Sequence, residues 1–168
     1  MRRRSALPAM AALLGLCAAA HSQTWQVVLE TVRPHENPDK LDRFLATTSI
    51  DSYTSSDGSP HRATLRIQCT GVLTGSATVS VDDITFRVKD DAILTLPVRL
   101  DHDPPLQVGW ANLSLHQILL YDLRNLLPAH RRISIDLPLD TPSPPTLTFD
   151  LSGLASTMKD LNCRRRLP

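Results

Sequence analysis

Six histidines are the first residues to weigh for chemistry: His21, His35, His61, His102, His116 and His130. They are scattered, and no H-E-x-x-H run or helical i, i+4 pair joins any two of them. Asp101-His102-Asp103 has the residue types of a zinc ligand set. It stands, however, between the end of an alternating apolar pattern and Pro104-Pro105, where Asp and His are ordinary loop residues. No G-x-S-x-G elbow for an activated serine is present, and Gly75-Ser76 reads as a turn at a strand entrance. Asp82-Asp83 and Asp90-Asp91 offer paired carboxylates of the kind glycoside hydrolysis uses. Each pair brackets a strand pattern, and adjacent residues on a strand point to opposite faces. With six glycines in all, there is also no phosphate-cradling loop. No catalytic set, metal site or cofactor site is expected.

The elements that would position such residues read as short strands separated by turn signals. Trp25 to Leu29 begins the series, His35 to Lys40 is a loop, and Leu41 to Ile50 tilts toward a strand in its second half. Ser52 to Pro60 is a loop turning at Asp57-Gly58. Ala63, Leu65, Ile67 and Cys69 alternate with polar residues, which places Cys69 on the buried face of a strand. Thr70 to Gly75 turns the chain; Ala77 to Val81, Ile84 to Val88 and Ile93 to Leu100 then alternate in the same way. Short connections favour antiparallel pairing. Ser114-x-x-Gln117 is the signature of a capping box, so a helix is expected there, with Leu115, Ile118, Leu119, Leu126 and Leu127 as its apolar stripe and Pro128 as its stop. Ile133 to Leu137 and Leu147 to Leu151 are further strands, joined by a stiff connector from Pro142 to Pro145. Gly153 to Cys163 closes as a short helix with Leu154, Ala155, Met158 and Leu161 inward. The expected fold is α+β: a mostly antiparallel, sandwich-like sheet of about seven strands with two helices.

Residues 1–22 have the layout of a secretory signal. Arg2, Arg3 and Arg4 precede an uncharged apolar run from Ala6 to Ala20, and small residues follow it. Cleavage after Ala20 or after Ser22 satisfies the small-residue rule. Cys17 would be the site of lipid anchoring, but Leu16 before it is too bulky for that processing. Residues 23–168 are then a single exported domain, periplasmic or secreted, of about 146 residues, a one-domain length, with no transmembrane span. Losing three arginines takes the 18 basic residues to 15 against 17 acidic ones, a net charge of about −2. A nucleic-acid partner would call for a strongly basic face. The cluster Arg164-Arg165-Arg166 reads as a solvated tail. Two cysteines remain, Cys69 and Cys163, an even count in a disulfide-permissive compartment. They are expected to pair and to staple the last helix to the sheet.

A pattern spans most of the exported part: Trp25, L-R-I-Q-C ending at Cys69, V-R-L-D from Val98 to Asp101, W-A-N-L-S from Trp110 to Ser114, L-T-F-D-L-S-G-L from Leu147 to Leu154, and L-N-C closing at Cys163. It resembles the VasI/TagO family of type VI secretion-associated exported proteins. The resemblance implies a non-enzymatic periplasmic accessory role through protein partners in the bacterial envelope. It carries over no catalytic residues and points first to Arg99, Asp101, Trp110 and Ser114, each of which also has a plain structural reading. An exported envelope or cell-wall enzyme, or an inhibitor of one, is the alternative. The sequence does not specify an oligomeric state.

Overall fold

The computed structural model describes residues 25–30, 42–69, 76–87, 94–161 and 163. The export signal with Cys17, the loop at 35–40, the turn at 70–75, Asp90-Asp91 and the terminal arginine cluster lie outside these residues. In chain order the strands are β1 (Gln26–Glu30), β2 (Asp42–Thr48), β3 (Tyr53–Thr54), β4 (Pro60–His61), β5 (Thr64–Gln68), β6 (Ala77–Ser80), β7 (Leu94–Leu100), β8 (Leu106–Ser114), β9 (Gln117–Leu120), β10 (Arg132–Asp136) and β11 (Thr146–Asp150). One helix, α1 (Leu154–Asp160), follows them.

Nine of these strands form one antiparallel sheet in the order β1-β2-β5-β6-β9-β8-β7-β10-β11, and β3 pairs separately with β4. The sheet curls on itself. Just past β2, Ser49 bridges Phe149 of β11, and the Ile50 N–H donates to the Thr148 carbonyl at 2.7 Å. The result is a half-barrel rather than the expected sandwich, because one sheet folds its own inner face together and needs no second sheet to cover it. Among the described residues β1 pairs only with β2 and stands outside this closure, with Val27 48 % and Leu29 56 % exposed.

The alternation along each strand explains the core. Cross-strand register lines up Leu45, Ile67, Ala77, Leu120, Trp110 and Leu94 as one inward row across six strands. Leu65, Val79, Ile118, Val98, Ile133, Ile135, Leu147 and Phe149 fill the same interior and are essentially inaccessible. Each such side chain contributes about 1.5–3 kcal/mol by leaving water. Pro97 marks a local limit: the β7–β10 pairing begins one residue later, at Val98, since proline has no N–H to give a ladder.

Three expected elements are corrected, and eleven strands among the described residues stand where about seven were expected. The stretch Ser52 to Pro60, expected as loop, carries β3 and the first residue of β4, which pair across the Asp57-Gly58 turn. The helix opening at Ser114 is absent; β8 runs through to Ser114, Leu115 and His116 turn the chain, and Gln117–Leu120 is strand β9. β9 lies between β6 and β8 and hydrogen-bonds on both sides, which outweighs a local capping preference. Leu115, placed on the helix stripe by spacing, sits at the turn and is 55 % exposed. Only a short 3₁₀ turn, Leu127–Ala129, forms farther on. Ile84 to Arg87 makes a single bridge, Phe86 to Leu139, in place of a strand. The closing helix is present as α1 with Leu154 buried, but Ala155 faces outward.

At one end of the half-barrel the chain is stapled. Cys69, just past β5, is disulfide-bonded to Cys163, with 4.6 Å between Cα atoms. Two arginines reinforce the joint: Arg124, only 3 % exposed, donates to the Cys163 carbonyl at 2.6 Å, and Arg43 donates to the Leu161 carbonyl at 3.1 Å. The opposite end is closed by the β3–β4 hairpin and by the segments 81–87 and 137–145, held by hydrogen bonds.

Candidate functional site

The four positions singled out by the family resemblance do not converge. Arg99 is exposed on β7 opposite Ser134 of β10. Trp110 is 3 % exposed and packs in the core between Leu94 and Leu120. Ser114 is exposed at the end of β8, where its hydroxyl accepts the His116 N–H at 3.2 Å and tightens the hairpin.

Asp101 has the most developed surroundings. It follows β7 in a left-handed conformation (φ 51°), which Asp tolerates better than most residues. One carboxylate oxygen accepts the N–H groups of Arg131 and Arg132 at 2.9 and 2.8 Å, and the other meets His130 Nδ1 at 3.1 Å. Partial desolvation pushes its pKa up, but the two backbone N–H groups together with His130 outweigh this and hold the carboxyl below its ordinary value. The arrangement has a structural use, because it fastens the β7 end to the start of β10. His102 and Asp103 are exposed and do not join it. Among the described residues no three His, Cys, Asp or Glu side chains are grouped to hold a metal ion.

Of two concavities lined by described residues, the larger lies at the hairpin end. A groove of about 580 Å³ runs between Ser52 to Ser56 on one wall and Leu139 to Ser143 with Pro145 on the other, with Ile84 also contributing. Its size is within the ordinary range for binding sites. Local hydrogen bonds hold the first wall in place. The Tyr53 hydroxyl donates to the Asp82 carbonyl at 2.7 Å and accepts the Asp82 N–H at 2.6 Å. Burial pushes the Tyr53 phenol pKa up. Asp57 accepts from the Ser55 hydroxyl, from the Ser59 N–H at 2.8 Å and from the Ser59 hydroxyl at 3.0 Å; these bonds lower its pKa to about 2. Gly58 takes φ 85°, as the turn at Asp57-Gly58 requires.

The second wall is tied to the barrel through Phe86 and Leu139, through the Asp140 N–H to the Thr85 carbonyl at 2.9 Å, and through Arg87 to the Thr141 carbonyl at 2.9 Å. Ile84 is fixed in turn, since its carbonyl accepts from His116 Nδ1 at 2.7 Å. A smaller cleft of about 290 Å³ opens where Pro97 stops the β10 ladder, with Arg87 and Asp136 on its rim. Neither concavity was anticipated from the sequence, where both walls of the groove read as loop and connector. The one available signal was the density of hydroxyl side chains in Ser52-Tyr53-Thr54-Ser55-Ser56. No helix among the described residues is long and apolar enough to cross a membrane. No protein-family model matches the chain, and no curated protein or solved structure matches it either.

Proposed function

We propose that the chain is a non-enzymatic accessory protein of the bacterial envelope, acting by binding another protein beside a type VI secretion apparatus. The observation that carries the binding reading is the open groove at the hairpin end, whose walls are braced by hydrogen bonds before any ligand arrives. Bracing of this kind lowers the ordering cost of association. The disulfide is compatible with a periplasmic or secreted location. The association with the secretion apparatus rests on the sequence pattern from Trp25 to Cys163 and on nothing in the site.

The test is genetic and biochemical together. Deleting the gene in a strain that exports type VI effectors should abolish their release, and the wild-type gene should restore it. Unchanged release would remove the secretion assignment. Incubating the oxidised protein with peptidoglycan should release no soluble fragments. Fragments released by the wild type, but not by Asp101→Ala or Ser114→Ala, would replace the binding role with an envelope enzyme.

A further inference from the structure

We infer that the groove takes an extended peptide with a basic side chain, docked as an added strand along the open edge of β3; this deepens the protein-binding reading above and rests on it. Tyr53 stands opposite His61 and Thr54 opposite Pro60, and the Ser55 N–H donates to the Ser59 carbonyl at 2.9 Å. Ser55 thus turns its N–H and C=O toward the returning chain, its carbonyl accepting the Gly58 N–H while the Ser59 N–H goes to Asp57. Bonded and non-bonded pairs alternate along an antiparallel ladder, so Thr54 and Pro60 are a non-bonded pair, which suits a proline with no N–H. The N–H and C=O of Thr54 therefore point away from β4.

That open edge faces the groove. Both residues of β3 line it, with Ser52, Ser55 and Ser56 on either side, although the Tyr53 and Thr54 side chains point to opposite faces. Two successive strand residues meet one groove in this way when the strand turns its edge toward it. Adding a strand to such an edge is a recurrent way to bind peptides, with the main chain giving affinity and the facing wall giving selectivity.

The facing wall limits the occupant. Its Pro142 and Pro145 have no N–H, so it offers little main-chain pairing and must recognise side chains. Among the described residues that line the groove, Asp140 carries the one charged side chain. Arg87 lies behind this wall with its guanidinium engaged by the Thr141 carbonyl, so the charge presented in the groove itself is Asp140, which favours a lysine or arginine side chain over an acidic one. Tyr53, the one aromatic among the described lining residues, is 4 % exposed with its hydroxyl engaged, so its ring offers no open face for a sugar to stack on. The volume of about 580 Å³ suits a segment of roughly four residues, which spans about 13 Å when extended.

Amide chemical-shift mapping of the oxidised full chain tests this with three probes: the capped peptide Thr-Val-Lys-Val-Thr, its counterpart with Glu in place of Lys, and a neutral tetramer of N-acetylglucosamine. The lysine peptide should shift the amides of Thr54, Ser56 and Thr141 with a Kd at least tenfold below that of the glutamate peptide. Asp140→Asn should remove that preference. Thr54→Pro deletes the open-edge N–H but no β3–β4 bond, and should abolish binding while the His61 amide stays in place. Equal Kd values for the two peptides, full binding by Thr54→Pro, or no shift at Thr54 with either peptide would overturn the assignment. Shifts gathered on β1 instead would overturn it and leave the protein-binding reading intact. Groove shifts caused by the sugar alone would overturn both.

Discussion

Removing the Cys69–Cys163 bridge tests the stapled end most directly. The two cysteines are 94 residues apart in sequence. On the chain-entropy account a cross-link closing a loop of that length stabilises the native state by about 4.7 kcal/mol at 25 °C. The replacement to make is Cys69→Ala with Cys163→Ala, since both sites are buried and a serine would add an unpaired hydroxyl to each. Cys17→Ser should be present in both proteins, so that no third thiol exchanges with the pair. With a urea dependence of about 2 kcal/mol per molar, the midpoint should fall by roughly 2 M. The slope should also rise, because an uncross-linked denatured chain exposes more surface. Arg43 and Arg124 still hold the Leu161 and Cys163 carbonyls. Amide exchange in α1 should accordingly accelerate no more than global unfolding requires. A midpoint shift below about 0.5 M would refute the entropic reasoning. Selective exposure of α1 would show that the arginines do not hold the helix by themselves.

Three further outcomes follow from particular residues. Asp57 has a depressed folded pKa, so its contribution to the hairpin is complete above about pH 4, the unfolded value, and is lost as pH falls through about 2; an NMR titration should place its carboxyl midpoint there, with Ser59 amide shifts following it. Gly153 begins α1 with φ 80° and open space around its Cβ position, so Gly153→Ala should cost about 1 kcal/mol from backbone conformation alone, read as a lower denaturation midpoint with unchanged spectra. Leu120 is fully buried between β6 and β8, and Leu120→Ala should cost about 2–5 kcal/mol by the same measurement.

Strands with one wet face and one dry face were legible in the sequence. β5, β6, β7, β10 and β11 all carry the period-two pattern, and their inward residues are those the pattern selects. The β8–β9 hairpin was not legible, for a physical reason. Ile118, Leu119 and Leu120 are consecutive and all buried, so they lack the alternation that identifies a half-exposed strand. The helix-like spacing of Leu115, Ile118 and Leu119, with Ser114 and Gln117 at cap positions, supplied a local signal that long-range pairing overrode. The curl was hidden as well, because it depends on Ser49 meeting Phe149, a contact with no local signature. The groove failed to register for the same reason: its walls are some 85 residues apart in sequence, and each is unremarkable alone. The cysteine pairing was readable because it needed only a count and a compartment.

The closure of the sheet has a kinetic consequence. β1, β2, β5 and β6 form one run of neighbours, and β9, β8 and β7, followed by β10 and β11, form another. These runs meet along the β6–β9 ladder, which brings Ala77–Ser80 to Gln117–Leu120, and again where Ser49 reaches Phe149. Both seams must be closed over long stretches of chain before burial rewards them, so folding should be dominated by that search, on the order of milliseconds to seconds. Hairpins within each run can form and dissolve many times in that interval. The rate-limiting event is then the meeting of the two runs, and slowing it should take substitutions along β6 and β9 rather than at either end of the barrel.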